Sequence, residues 1–499
     1  MQLKELASRL TASRISGDGS INITGIQIDS RKVKPGDLFV CVSEKIGIKD
    51  RHLFAEQAVS NGASALVVEY DVESDVPKLF VKNTWDALSI LSCHFYEYPS
   101  NSMKVIGITG TNGKTTSSYL LEKILSHNGF VTGLMGNIHV KIGSDYIINH
   151  ENNTQDAHNL QRNFRKMVEQ GTDYCIIEVS SHGLDMGRVK GTKFRTGIFT
   201  NLTQDHLNYH GSMENYKAAK GLLFSRLGNE YVSDPDEQRF AVLNADDPAS
   251  VDYARLTAAQ IVTYGITNEA DVRADMIKMN SKGTSFRCTT FRGTLDFQTH
   301  LIGEFNVYNS LAAITAALLE GITLESIKES LESIGSVEGR MEVVDEGQDF
   351  LVLVDYAHTP DGLDNALSTI KQFAEGQIHC VFGCGGDRDR TKRPVMGAVT
   401  ARYSNHLYVT SDNPRMEDPQ RIVEDIEPGI VSAGFSKDSY ELIVDRKAAI
   451  KKAIAAASPK DVVLIAGKGH ETYQDIQGIK HDFDDRSVAK EAIRGRYRD

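Results

Sequence analysis

The stretch Val105–Thr116, VIGITGTNGKTT, carries the sharpest chemical signal in the chain. An apolar run leads into Gly110, Thr111, Asn112, Gly113, Lys114, Thr115 and Thr116. A helical pattern follows, with Tyr119, Leu120, Leu121, Ile124 and Leu125 on its apolar side and Asn128-Gly129 as its stop. Glycines at both ends of the loop let its N–H groups turn inward, and a helix N-terminus adds partial positive charge. Lys114 can supply a point charge to outer phosphates, and Thr115 a hydroxyl to Mg²⁺. That is chemistry for a nucleoside triphosphate. The strict spacing of such loops asks for glycine at position 108, where this chain has Ile108, so a shortened loop is expected.

Other polar residues follow apolar runs. Glu178 ends the run Tyr174–Val179, where a strand would present a hard carboxylate oxygen suited to Mg²⁺. His206 lies in a His- and Asp-rich loop after Ile198–Asn201 and reads equally as a ligand or a structural histidine. Lys220, in YKAAKGLLF, reads from the residues alone as a solvated helix-face cation. Further on, the runs Phe350–Val354, Ile378–Phe382, His406–Thr410 and Val462–Ala466 each give way to a polar loop containing Gly or Pro. In open parallel sheets ligands sit beyond the carboxyl ends of strands, so these loops are where chemistry is sought.

The elements that must position these residues alternate short β-branched runs with amphipathic stretches, the α/β pattern. The chain of 499 residues suggests about three domains. Composition shifts and a turn cluster at Tyr98–Ser102 place them at 1–98, 99–338 and 339–499. Net charge is −12, without a long basic run, which argues against nucleic acid as the main partner. No window approaches the length of a membrane span, and the N-terminus lacks a signal peptide's features, so cytoplasmic placement is expected. Six scattered cysteines without a CxxC pair read as reduced core residues.

Together these motifs resemble the Mur ligase family over essentially the whole chain. The resemblance implies three α/β domains: an N-terminal UDP-substrate-binding domain, a central P-loop ATPase-like domain and a C-terminal Rossmann-like domain. It implies an ATP-dependent amide ligase of peptidoglycan precursor synthesis, working through an acyl phosphate with Mg²⁺, with a monomer as the expected form. Gly110–Thr116 match the family's ATP loop, Asn306 its adenine-side loop, and Arg340, Asp355 and His358 its closing contacts on the nucleotide. A helix cap is the plain alternative for Asp355. Thr115, Glu178 and His206 match magnesium ligands, and Lys220 matches a lysine carried as a carbamate (N6-carboxylysine).

Ser30, Asn152, Asn153, Thr154, Ser180 and Arg188 match contacts to the acceptor, UDP-MurNAc-L-Ala-D-Glu. Arg388, Asp412, Asn413, Pro414, Arg415, Gly467 and Glu471 match the amino-acid site. Arg415 can fork onto a carboxylate, and Asp412 and Glu471 can hold an ammonium group. The DNPR form at 412–415 resembles the members that use meso-diaminopimelate rather than lysine, because only the former has a far carboxylate. Two acceptor motifs depart from the family pattern: Arg51 replaces the glycine of Asp-Gly-His, and Asn153 replaces a hydroxyl residue. They leave open a paralogue with another carboxylate acceptor. A P-loop NTPase or kinase, and a non-catalytic nucleotide-binding module, are the readings from other classes.

Overall fold

A computed structural model describes residues 1–148, 153–230 and 232–496. Three main sheets follow one another along the chain. The first has five short strands, and its edge strand Arg14–Ser16 runs antiparallel to Lys78–Phe80. The other three, Gly25–Gln27, Asp37–Val40 and Ala65–Val68, pair in parallel up to Lys78–Phe80. Leu38, Val40, Val67 and Leu79 on this sheet pack against Trp85, Leu88 and Leu91 of helix Thr84–Phe95.

The second sheet has eleven strands around a parallel centre: Gln260–Gly265, Phe240–Asn244, Phe194–Phe199, Lys104–Thr109, Tyr174–Glu178 and Thr132–Met135. Strand Lys104–Thr109 lies in the middle and is apolar on both faces, as a strand covered on both sides must be. Ile106 and Ile108 pack under helices Lys114–His127 and Glu304–Leu319, and Val105 packs on the opposite side with Phe164 and Phe224. Further strands extend both edges. Val272–Asn280 joins Gln260–Gly265 in parallel and is followed by antiparallel Gly283–Thr290 and Gly293–Thr299, and antiparallel His139–Ile142 and Asp145–Ile148 add to the other edge. The α/β alternation in the sequence does not show these extensions, because their strands are half exposed and carry no continuous apolar run.

The third sheet has six strands, with Val462–Ala466 between Leu351–Asp355 and Ile378–Phe382, all three parallel. The strand order therefore switches at its centre, which opens a crevice at the carboxyl ends. A small hairpin, Tyr473–Ile476 with Ile479–Asp482, follows the last central strand. Among the described residues no helix is long and apolar enough to cross a membrane. All six cysteines are buried and unpaired.

Candidate active site

A cavity of about 1320 Å³ is lined by loops from all three sheets. From the phosphate loop come Thr111, Asn112, Gly113, Lys114, Thr115 and Thr116, and from its neighbours Glu178, Ser180, His206, Arg340, Asp355 and His358. The third sheet adds Arg388, Asp412, Asn413, Arg415, Gly467 and Glu471.

The shortened loop has a direct cause. Ile108 belongs to the strand, paired with Glu178 on one side and Ile198 on the other, so the turn begins only at Gly110. Gly110 has φ +153°, and a Cβ there would lie 1.8 Å from Thr200 Oγ1; at Gly113, φ +85°, it would lie 2.3 Å from Asn309 Oδ1. Asn201 fixes the curl: its carbonyl accepts from Thr111 N (2.8 Å) and its Oδ1 from Asn112 N (2.9 Å). No side chain caps helix Lys114–His127, and Ser117 N donates to Gly113 O at 2.9 Å. The turn before Ser117 is thus presented to the cavity, the arrangement that holds anions.

Two lysines converge on one carbonyl. Lys114 Nζ donates to Gly110 O (2.8 Å) and Thr111 O (2.7 Å), and Lys220 Nζ donates to the same Gly110 O (2.8 Å). Lys220 is 2% exposed, with its ammonium 4.4 Å from the centre of the Tyr216 ring. Burial lowers the pKa of Lys114 and pushes that of Lys220 well below the lysine range, with the charge of Lys114 adding to the second effect. The solvated-lysine reading of Lys220 is corrected here: helix Met213–Ser225 turns this residue inward.

Thr115 Oγ1 donates to Glu178 Oε2 (3.0 Å), and Asn137 N donates to Glu178 Oε1 (2.7 Å). Arg340 reaches across from the domain junction, donating to Thr115 Oγ1 (3.1 Å) and stacking on the Tyr356 ring at 4.6 Å. His206 stands 3.3 Å from Asp205 and edge-on to His182 at 4.7 Å. Burial draws its pKa down against the pull of Asp205, which leaves a neutral ring nitrogen available. Asp355 is not a helix cap, since Thr359 caps helix Pro360–Phe373. Its oxygens accept instead from Ala357 N (2.8 Å) and Met341 N (2.7 Å), tying the crevice to the junction.

Some expected contacts turn away. Asn306 is buried and does not line the cavity; it donates to Ile302 O (2.9 Å) and accepts from Asn309 (3.0 Å), and Asn309 is the residue that faces the space. Ser30 donates to Gln57 Oε1 at 2.7 Å, away from the cavity. Thr154 sits behind Ser180, accepting from its N–H at 2.8 Å. Asn153 and Arg188 do line the cavity, and Arg188 pairs with Asp156 at 2.9 Å. Asn152 lies outside the described residues. Pro414 accepts from Glu417 N at 3.0 Å and shapes its turn.

In the third sheet's crevice, Arg388 and Arg415 are neighbours. A Cβ on Gly385 would lie 2.9 Å from Arg415 Nη1 and 3.8 Å from Arg388 Cγ. Arg415, at φ +51°, is pinned to the hairpin: its N–H donates to Asp475 O (2.9 Å) and its carbonyl accepts from Gln477 N (2.7 Å). Asp412 Oδ2 is buried without a partner, and a side chain at Gly467 would strike it, Cβ to oxygen 2.5 Å. Burial alone would raise the Asp412 pKa, but Lys468 and Arg446 outweigh it and keep the group ionised. Sequence reasoning missed Lys468, which looks like a loop cation. It is fully buried, donating to Asn413 Oδ1 and Glu471 Oε2 at 2.9 Å each. The crevice thus offers two guanidiniums to an anion and one free carboxylate oxygen to a cation.

A P-loop on the second sheet, a switch-point crevice on the third and one cavity joining them are the architecture of an ATP-dependent ligase. Residues 108–317 match the Mur ligase middle domain and residues 339–469 the Mur ligase glutamate ligase domain. The chain belongs to the Mur ligase family. It is 51% identical over 496 residues, 99% of each chain, to the UDP-N-acetylmuramoyl-L-alanyl-D-glutamate--2,6-diaminopimelate ligase of Bacillus cereus. A solved structure of an enzyme of that name superposes with TM-score 0.67 at 33% identity, covering 99% of each chain. The MurF ligase of Thermotoga maritima in complex with ADP shares the fold, with TM-score 0.63 at 19% identity over 95% of this chain and 96% of that one.

Proposed function

We propose that this chain joins meso-2,6-diaminopimelate to the D-glutamyl γ-carboxylate of UDP-MurNAc-L-Ala-D-Glu at the expense of ATP, in the cytoplasm. The observation that carries this reading is the single cavity whose walls hold both a phosphate loop and a crevice matched to a zwitterion. Domains of 1–98, 99–338 and 339–499 would each bring one substrate. The acceptor carboxylate attacks the γ-phosphorus of ATP, giving an acyl phosphate and ADP. The amine of diaminopimelate then attacks the acyl carbon, and the amide forms as phosphate and a proton leave.

Lys114 would exchange its loop carbonyls for phosphate oxygens, beside the open helix N-terminus. The Thr115 hydroxyl and Glu178 carboxylate, 3.0 Å apart, are hard oxygen donors of the kind Mg²⁺ takes alongside phosphate and water. They would hold it, and bound Mg²⁺ would offset charge on the transferring phosphoryl group. Among the described residues no three His, Cys, Asp or Glu side chains gather as a metal cage. A second Mg²⁺ site would join His206 to the carboxylate of a carbamylated Lys220. The amine of Lys220, whose pKa burial lowers well below the lysine range, would add CO₂ in its unprotonated form and release one proton. Arg388 and Arg415 would clamp the far carboxylate of diaminopimelate, and Asp412 and Glu471 would receive its ammonium group. Lys468 and Asp475 N both donate to Asn413 Oδ1, so its amide donates to Glu471 (2.7 Å) and the pocket is set before the amino acid arrives.

The test is ATP-dependent phosphate release by the purified protein with this acceptor and either meso-diaminopimelate or L-lysine, read with product mass. Phosphate only with diaminopimelate and a UDP-tripeptide mass are expected. Phosphate release without any amine would indicate a plain NTPase, and ATP binding without product would point to another acceptor.

A further inference from the structure

Arg388 and Arg415 stand on two separate loops, one after strand Ile378–Phe382 and one after strand His406–Val409. Each loop carries a residue in the left-handed region, Asp387 at φ +52° beside Arg388 and Arg415 itself at φ +51°. Such backbone persists in a non-glycine residue only where the surroundings hold it. The two guanidiniums also repel. Burial lowers the pKa of Arg388, and the neighbouring charge of Arg415 lowers it further. The two loops must therefore be fixed to each other.

Backbone contact supplies part of the tie. Gly386 N donates to Asn413 O (2.9 Å), Met416 N donates to Asp387 Oδ2 (3.1 Å), and a Cβ on Gly386 would lie 1.9 Å from Pro414 O. The rest comes from a side chain that does not line the cavity. Met416 is exposed, but the next residue, Glu417, turns inward. Its Oε1 accepts from Asp387 N (2.6 Å) and Arg393 Nη2 (2.9 Å), and its Oε2 from Arg390 Nη2 (2.7 Å) and Arg393 Nη1 (3.1 Å). These donors all lie on the Arg388 loop or on helix Lys392–Tyr403 that follows it. The Arg393 side chain is 1% exposed and has a second carboxylate partner in Asp425 (2.8 Å). A buried arginine fork paired in this way fixes direction as well as distance.

We propose that Glu417 is a positioning residue for the amino-acid site: anchored on Arg393, it locks the Arg415 loop to the Arg388 loop and so sets the spacing of the two guanidiniums. The inference rests on the diaminopimelate reading above, in which those guanidiniums clamp the far carboxylate. Glu417 acts through the backbone of Asp387, next to Arg388, and through its own loop, two residues from Arg415. A two-armed clamp grips a carboxylate only over a narrow range of separations. L-Lysine has no far carboxylate, so a misplaced clamp costs diaminopimelate and spares lysine. The role of Glu417 is therefore read in specificity.

Steady-state kinetics, with competition between meso-diaminopimelate and L-lysine and products separated by mass, test this on the wild type, E417A, E417Q and D425N. In E417A the KM for diaminopimelate is expected to rise roughly 5- to 20-fold, with kcat and the KM for ATP within about twofold. The preference over lysine should shrink by the same factor as the KM rises. E417Q keeps the shape and an acceptor for Asp387 N but loses the charge, so it should fold as the wild type does and lose roughly 2- to 5-fold in preference. D425N removes the other partner of Arg393 without touching either loop. Its melting temperature should fall while its preference stays that of the wild type. Wild-type preference in E417A and E417Q overturns the proposal. So does an equal loss of preference in E417A and D425N, because that marks general loosening of the domain. Wild-type protein that forms no diaminopimelate product shows separately that the reaction itself is wrong, and the proposal falls with it.

Discussion

At the nucleotide end of the cavity the charged side chains are already engaged with the protein: Lys114 and Lys220 share Gly110 O, and Thr115 donates to Glu178. At the amino-acid end Arg388 and Arg415 stand together, Arg415 Nη1 donating to Gly386 O, and one oxygen of Asp412 has no partner. The first end can wait without a ligand, because its own carbonyls satisfy its cations. The second is largely held by its own bonds too, Asn413, Lys468 and Glu471 pairing with one another, but it keeps one buried carboxylate oxygen unpaired. Sites built with unpaired polar groups reject an analogue that fails to pair them far more strongly than apolar pockets do. Under the proposed function, discrimination between amino acids would fall to the second end and phosphoryl transfer to the first.

The largest effect should come from breaking the first end. K114M removes a donor aimed at developing phosphate charge, and kcat should fall about 100- to 1000-fold with little change in the KM for diaminopimelate. Steady-state kinetics of phosphate release read this directly, and a K114M enzyme with unchanged kcat would remove Lys114 from the transfer step.

R415A acts on the second end. The KM for diaminopimelate should rise roughly 10- to 100-fold while the KM for ATP holds, and the preference over lysine should shrink by the same factor. Competition between the two amino acids, with products separated by mass, measures it. Retained preference would place the carboxylate clamp elsewhere.

The smallest effect lies outside both ends, in the helix Ala157–Glu169 that packs against the N-terminal domain. His158 is 2% exposed, neither ring nitrogen has a partner among the described residues, and burial with Arg162 and Lys32 nearby holds its pKa at about 3. The unfolded chain takes up this proton near pH 6.5 and the folded chain does not, so stability is full above that pH and is lost as pH falls from about 6.5 towards 3. Melting temperature should drop about 3 °C more between pH 7.5 and 5.5 in the wild type than in H158L. Equal drops would assign acid sensitivity to other groups.

Much of this was legible in the sequence. The strand, loop and helix around Lys114 are contiguous, so their periodicity and turn residues specify them together. The strands Ile378–Phe382 and Val462–Ala466 follow from continuous apolar runs, as buried parallel strands require. Helix Leu324–Glu332 is local in the same way, begun by the Thr323 hydroxyl that caps it. The edge hairpins were not legible, because a strand half exposed to water leaves a weaker pattern.

What only the tertiary structure decided is where a polar side chain points. Lys220 and Lys468 look like surface cations in sequence, yet both are buried, because the sheet and loop packed against them come from distant segments. Asn306 and Asn309 lie one helical turn apart, and only the packing of their helix on the phosphate loop gives the inner place to one and the cavity to the other. Arg415 has its orientation from a hairpin some sixty residues later, through backbone bonds no local pattern encodes. The sequence by itself determined the elements and the residue types at their ends, since these depend on local sterics and periodicity. The meeting of those ends around one cavity depends on which strands pair and which domains face each other, and that is set by contacts between segments far apart in the chain.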